Sequence, residues 1–314
     1  MKPLAALTGG TGFLGRHSIR ALHAAGWRVR ILARSQPNLP ELKDVPLEIV
    51  LGGLTDQTAL DRLAIGADAI VHIAGLVKAT SRAAFMHSNA DGAAAMATAW
   101  RAQSPDANFV LVSSMAAREP ELSHYAASKR AGEDAVRQHS GDGAWRVLRP
   151  GAIYGPHDEE SLKVLKLANS SKQLMLNAPD ARVAMIDVRD AAQAVAAAVQ
   201  HPTFGTTHEL TDARTDGYTW RELAETAATA LGRTPRLGRV PAPLLKTVGL
   251  CGGIAARLTG SAEMLTSAKV REILHTDWSG DPDLVMPSDQ WQPTIGLGQG
   301  LSHMANWAQN SGRL

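Results

Sequence analysis

Short apolar runs alternate with longer amphipathic stretches through the first half of the chain. Pro3–Thr8, Arg28–Ala33, Leu47–Leu51, Ala69–Ile73, Asn108–Ser113 and Trp145–Leu148 are rich in Val, Ile and Leu and scarcely alternate with polar residues. Strands buried on both faces read this way. Between them, Phe13–Ala25, Thr58–Ala64, Arg82–Arg101 and Leu122–His139 read as helices, and Gly26 stops the first. Six strands alternating with helices predict an α/β fold, a Rossmann-type doubly wound parallel sheet.

The pattern loosens after Pro150. A loop with Gly151, Gly155 and Pro156 leads to a helix near Glu159–Ala168, and a strand at Ala181–Ile186 feeds a helix at Val188–Gln200. A short strand (Thr206–Leu210), a helix opening near Thr219 and a Pro/Gly-rich connection (Arg233–Pro243) precede further helices. Residues 1–155 are therefore expected to form the dinucleotide-binding domain, with 181–200 rejoining its sheet. Residues 156–180 and 201–314 are expected to form a smaller, mainly helical substrate lobe.

Composition narrows the function classes. Hydrophobic residues make up 45% of the chain, enough for a sizeable core, and the net charge of +2 gives no field that favours nucleic acid. Cys251 is the one cysteine, so an intrachain disulfide is excluded, a reducing cytoplasm is expected, and the thiol reads as packing. The apolar part of Met1–Leu7 is too short for a secretory segment. Pro241–Leu258 is interrupted by Lys246, glycines and Arg257, so it is expected as an amphipathic helix over a pocket and not as a membrane span. The histidines and carboxylates lack metal-site spacing. His124, beside Tyr125, points about 100° away on a helix and is discounted. Asp187 and Asp190 are expected to cap the helix they adjoin.

The chemistry starts at Thr8-Gly9-Gly10-Thr11-Gly12-Phe13-Leu14-Gly15, which directly follows the first strand and opens the first helix. Gly9 permits a tight turn, Gly12 lets backbone approach a pyrophosphate, and Gly15 lets the helix pack on the strand. The helix N-terminus offers N–H groups to the phosphates. After the second strand stand Arg34 and Ser35 where an NAD enzyme would place an acidic residue, and no carboxylate follows until Glu41. A guanidinium fork and a hydroxyl suit a 2′-phosphate, so NADP(H) is favoured over NAD(H). In the predicted helix around Tyr125-Ala-Ala-Ser-Lys129 the phenol and ammonium project from one face. The cation favours the phenolate and makes Tyr125 a workable acid–base group. Ser113 and Ser114 end the fifth strand, where a hydroxyl can steady a developing alkoxide.

This set of motifs resembles the extended short-chain dehydrogenase/reductase superfamily, with its NAD(P)-dependent epimerases and dehydratases. The likeness rests on Thr8–Gly15, His72-Ile-Ala-Gly75, Asn89, Ser113-Ser114, Tyr125/Lys129 and Arg149-Pro-Gly-Ala-Ile-Tyr-Gly-Pro156. It implies Tyr125 as general acid/base, Lys129 as ribose contact and Ser114 as substrate-oxygen partner, with Ser113 the alternate. It further implies cofactor contacts from Leu54, His72, Ala74, Gly75, Ser113, Pro150, Gly151 and Ile153. Gly53 stands where family members often carry the Asp of Gly-Asp-Leu, and Ala152 where sugar-nucleotide epimerases place Asn. Those departures bring the chain nearest to the dihydroflavonol-4-reductase and 3β-hydroxysteroid dehydrogenase branch. The expectation is NADPH-dependent reduction of a small-molecule ketone or aldehyde, or oxidation of a secondary alcohol. The rivals are a nucleotide-sugar epimerase or dehydratase with retained cofactor, and a non-catalytic dinucleotide-binding regulator or assembly factor. The family also suggests a homodimer through the helices Arg82–Arg101 and Leu122–His139.

Overall fold

The computed structural model describes residues 2–169, 173–176, 181–234, 237–240 and 267–314. Cys251 and the apolar stretch Pro241–Leu258 lie outside them. The chain divides into two compact units: Met1–Pro150 with Ala191–Glu209 and Met286–Trp291, and Gly151–Asp190 with Leu210–Val285 and Gln292–Leu314.

The first unit is built on a seven-stranded sheet. In chain order its first six strands are β1 (Leu4–Thr8), β2 (Arg28–Ala33), β3 (Leu47–Leu51), β4 (Ala69–His72), β5 (Asn108–Val112) and β6 (Trp145–Pro150). They lie in the order β6-β5-β4-β1-β2-β3, with each neighbouring pair parallel. The order turns back at β1, the switch point where this fold opens a crevice at the carboxyl ends of the strands. Strands β1, β4 and β5 are buried at every residue, which is why they read as unbroken apolar runs. The seventh strand is Phe204–Leu210, at the edge beside β6.

That edge corrects part of an expectation: residues 191–200 fall in the first unit, but 181–190 do not. The segment Ala181–Ile186, expected to rejoin this sheet, is two short strands, Arg182–Val183 and Met185–Asp187, that pair within the second unit. The helix Val188–Gln200 then leads to the edge strand. A strand of two or three residues carries too little pattern to say which sheet it joins.

Helices α1 (Phe13–Ala24), α2 (Gln57–Ala64), α3 (Arg82–Phe85), α4 (Gly92–Gln103) and α5 (His124–His139) accompany the sheet. Expected as one helix, 82–101 is instead two α-helical segments joined by a π-helical turn at Met86–Asp91. Trp100 and Met96 of α4, Leu60 and Leu63 of α2, and Phe109 and Val147 of the sheet pack into one core. The Trp100 indole nitrogen donates to the Ala107 carbonyl there, satisfying the polar end of a fully buried ring.

In the second unit Tyr154, Leu162, Leu165, Leu301 and Met304 form a separate core. Asp187 takes the Arg189 backbone N–H as a helix-starting residue does, but Asp190 does not cap. Its carboxylate accepts from the backbone N–H of Thr294 and of Ile295 and from the Thr294 hydroxyl, pinning a distant loop. Among the described residues no helix is long and apolar enough to cross a membrane, and no group of His, Cys, Asp and Glu could hold a metal.

Candidate active site

The glycine turn is shaped as its sequence requires. Gly9 has φ +73°, and a Cβ there would lie 2.6 Å from the Ala74 nitrogen. Gly15 packs so closely on Gly9 and Gly10 that any side chain would collide with their backbone. Gly12 differs: it is exposed, a Cβ on it would meet only the Gly9 carbonyl oxygen at 3.3 Å, and it immediately precedes α1. Thr11 is exposed, Phe13 is half-buried, and Gly10 and Leu14 are buried, with Gly10 against the Ile31 side chain. The result is a glycine-lined turn leading into a helix start, whose first N–H groups have no intrahelical partner, and it fits a dinucleotide pyrophosphate.

Arg34 and Ser35 are both exposed just past β2. Glu41, the next carboxylate along the chain, pairs with Arg16 at 2.7 Å, and Arg16 also donates to the Thr11 carbonyl. Sequence reasoning passed over Arg16, a cation placed against the turn. A Cβ on Gly53 would meet open space, so nothing sterically excludes the absent Asp. Leu54 packs against Gly92 and the core.

His72 ends β4 and is buried, with Nδ1 2.9 Å from the Thr8 hydroxyl, which also accepts from the Ala74 N–H. These contacts knit the ends of β1 and β4 together behind the glycine turn. Burial, reinforced by the Lys129 charge, pushes the His72 pKa down to about 3, so the ring is neutral. Its Nε2 has no hydrogen-bond partner among the described residues. Gly75 runs past the next cluster: a Cβ there would sit 2.8 Å from Asn89 Oδ1 and 4.0 Å from Lys129 Nζ.

Asn89 lies in the π-helical turn and is buried. Its Oδ1 accepts from the Leu76 N–H at 2.7 Å, while Nδ2 donates to the Leu76 carbonyl and to the Ser128 hydroxyl. Ser128 in turn donates to the Tyr125 carbonyl. The wider π turn places the amide where it can bridge the loop after β4 to α5. Gly132 permits this approach, because a Cβ there would come within 2.7 Å of the Asn89 carbonyl oxygen.

Helix α5 opens on Ser123, whose hydroxyl caps the Ala126 N–H. Tyr125 is half-buried on its first turn with its ring 6.0 Å from Phe85, edge to face. One turn on, Lys129 Nζ donates to the Val112 carbonyl at 2.7 Å. Burial lowers the Lys129 pKa to about 8, and the charge of Glu133 works against that fall.

The two serines at the end of β5 differ in what they can offer. Ser113 is buried and donates to Glu133 Oε1 at 2.5 Å, so its hydroxyl is engaged beneath the site. Ser114 is half-buried and caps a short 3₁₀ turn by accepting from the Ala116 N–H, which leaves its own proton available to a substrate oxygen. The sequence did not single out Glu133, which also receives a two-pronged contact from Arg149 at 2.9 and 2.6 Å. Its signal was the spacing: Tyr125, Lys129 and Glu133 fall four apart along one helix face.

The first unit contains the glycine turn, Arg34, Ser35, Leu54, His72, Ala74, Gly75, Ser113, Ser114, Tyr125, Lys129 and Pro150. Gly151 and Ile153 belong to the second unit, Gly151 donating to the Leu210 carbonyl and Ile153 in register with Ile186.

A family model described as the NAD dependent epimerase/dehydratase family matches residues 5–211. A ceramide reductase from Caulobacter vibrioides is 46% identical over 98% of this chain and 95% of its own length. A (4-alkanoyl-5-oxo-2,5-dihydrofuran-3-yl)methyl phosphate reductase from Streptomyces griseus is 30% identical over 74% of this chain and 72% of its own. Among solved structures, a dTDP-glucose 4,6-dehydratase from Streptomyces venezuelae superposes with a TM-score of 0.74 at 20% identity, covering 98% and 96% of the two chains. That level of identity carries the fold.

Proposed function

The chain belongs to the NAD dependent epimerase/dehydratase family, and from that premise we propose that it is an NADPH-dependent reductase of a ketone carried by a ceramide-like lipid. The carrying observation is the hydrogen bond from Lys129, one helical turn after Tyr125, to the end of β5, in a chain 46% identical over nearly its whole length to a ceramide reductase. A nicotinamide hydride does not reduce an amide. The reducible group on an N-acylated long-chain amino alcohol skeleton is therefore a ketone of the long-chain backbone.

The residues present fit the cofactor. The glycine cradle and the first N–H groups of α1 would hold the pyrophosphate, and Arg34 with Ser35 would hold the 2′-phosphate. NADPH, when bound, supplies the hydride. Lys129 keeps one N–H on Val112 and has two more to direct at a ribose hydroxyl. Its charge favours the phenolate of Tyr125 after the phenol has delivered its proton to the substrate oxygen. Ser114 donates to that oxygen as negative charge gathers on it. Neutral His72 adds no second cation beside Lys129.

The family branch with Asn before its Tyr-Gly-Pro segment handles sugar nucleotides, and Ala152 in this chain offers no amide for a diphosphate. That departure supports a less charged substrate.

The test is direct. Purified protein should oxidise NADPH in the presence of a long-chain N-acyl amino ketone dispersed in detergent, giving a product heavier by two hydrogens. It should work more slowly with NADH and leave nucleotide sugars unchanged. No NADPH oxidation with any such ketone would remove the reading.

A further inference from the structure

We propose that Glu133 is a positioning residue of this reaction: from beneath the Tyr125–Lys129 pair it fixes the end of β5 through Ser113 and holds an anion one helical turn from Lys129. The assignment rests on the reductase reading, since it names what sets up that same site.

The side chain of Glu133 is fully buried, and that of Arg149 is 12% exposed. A buried carboxylate is costly unless it is paired and hydrogen-bonded, and Arg149 alone supplies that through its two contacts. The Ser113 hydroxyl is therefore an additional ligand, and its place in the chain gives it meaning. Val112, Ser113 and Ser114 are consecutive: the carbonyl of the first accepts a hydrogen bond from Lys129, and the hydroxyl of the second donates to Glu133. The Ser113 N–H is also spent, on the Leu148 carbonyl at 2.7 Å. With Val112 and Ser113, the two residues before Ser114, both held from α5, Glu133 helps set where β5 delivers Ser114 relative to Tyr125.

The electrostatic part concerns Lys129. The titratable and charged groups around it are Tyr125 and Glu133 on its own helix, neutral His72 on β4 and, across Glu133, Arg149 on β6. Burial disfavours the ammonium, and Glu133 is the group that works in its favour. Glu133 thus keeps Lys129 charged at the pH where it must hold a ribose and stabilise a phenolate.

The experiment measures the titration of Lys129 without relying on turnover, by site-resolved trace acetylation of the full chain across pH with mass spectrometry. In the wild type the midpoint is expected near pH 8. In Glu133→Gln it should fall by about half a pH unit or more, the alkaline limb of kcat/KM should move the same way, and Glu133→Asp should restore the midpoint. Glu133→Gln strands the Arg149 cation and could cost the fold, so Ser113→Ala is the second variant. It keeps every charge, and is expected to lower kcat about tenfold with KM and the Lys129 midpoint unchanged. A folded Glu133→Gln with wild-type midpoint and wild-type pH profile overturns the assignment, as does Ser113→Ala with wild-type kcat. A wild-type protein that reduces no ketone, with the Glu133→Gln midpoint still displaced, defeats the reductase reading and leaves the hold of Glu133 on Lys129 in place.

Discussion

Lys129 Nζ donates to the carbonyl of Val112 at 2.7 Å, across the junction between α5 and β5. The ammonium is thereby fixed two residues before Ser114 and one helical turn after Tyr125. A hydrogen bond to backbone carbonyl, unlike one to a side chain, survives most substitutions around it, so the face of α5 that carries Tyr125 and Lys129 keeps its depth against the sheet.

The first consequence concerns Tyr125. Replacing it by Phe removes the acid and leaves the ring against Phe85 intact. Turnover should fall by about a thousandfold or more, within the range of general acid–base contributions. NADPH affinity, measured by quenching of protein fluorescence, should stay within about twofold of wild type. Retained turnover would refute the role.

Ser114 and Ser113 should separate cleanly. Ser114→Ala removes the donor to the substrate oxygen and should lower kcat by about a hundredfold, as loss of one oxyanion donor does. Because the hydrogen bond its side chain makes among the described residues is a 3₁₀ cap, the melting temperature should barely move. Steady-state kinetics beside a thermal melt would decide; a large loss of stability with normal kcat would reverse the assignment.

Much of this was legible in the chain itself, and the reason is geometric. Strands β1, β4 and β5 are buried on both faces, so each imposes an unbroken apolar run, and Gly9 and Gly15 are dictated by backbone within collision distance. The π turn at Met86–Asp91 was not legible, because its reason is tertiary: Asn89 reaches back to Leu76 and across to Ser128. Glu133 was hidden for a similar reason. A carboxylate on an amphipathic helix reads as solvent-facing until Ser113 and Arg149, from β5 and β6, are known to converge on it. Asp190 read as a cap because of where it sits, yet its partners lie about a hundred residues away.

Asn89 should matter to stability more than to chemistry. Asn89→Ala leaves the Leu76 N–H and carbonyl without their side-chain partner and should cost about 2–3 kcal/mol, from the penalty for unsatisfied part-buried groups. Gly75→Ala should act in the same direction, since its methyl would press on Asn89 Oδ1. Urea unfolding of both variants checks this; a loss below about 0.5 kcal/mol in each would contradict it.

Acid should unfold the protein partly through His72. Its pKa is about 3 in the fold against 6.5 for an ordinary imidazole, so the unfolded chain binds the extra proton as pH drops below 6.5. The stability this neutral ring contributes is complete above pH 6.5 and is lost as pH falls toward 3, by up to about 1.4 kcal/mol per unit. Between pH near 7.5 and pH near 5, wild type should therefore lose about 2 kcal/mol more than His72→Gln in urea unfolding. Parallel losses in the two proteins would show that the proton goes elsewhere.

In the proposed reading, cofactor choice rests on Arg34. It stands exposed at the end of β2, where an acidic residue would instead hold an adenosine ribose hydroxyl, and the nearby carboxylate Glu41 is occupied by Arg16. A guanidinium pairing with a 2′-phosphate is a charge-assisted contact of about 1.5–3 kcal/mol, equivalent to about ten- to hundredfold in affinity. Arg34→Ala should raise the KM for NADPH by that factor and leave the KM for NADH unchanged, because NADH has no phosphate to lose. Arg34→Asp should go further and make NADH the better substrate, since a carboxylate repels the 2′-phosphate and accepts from the free hydroxyls. The ratio of kcat/KM for the two cofactors, measured on all three proteins at one ionic strength, reads this directly. Salt should weaken NADPH binding to wild type more than to Arg34→Ala, because the exposed charge pair is screened. An unchanged ratio would move the 2′-phosphate away from β2 altogether.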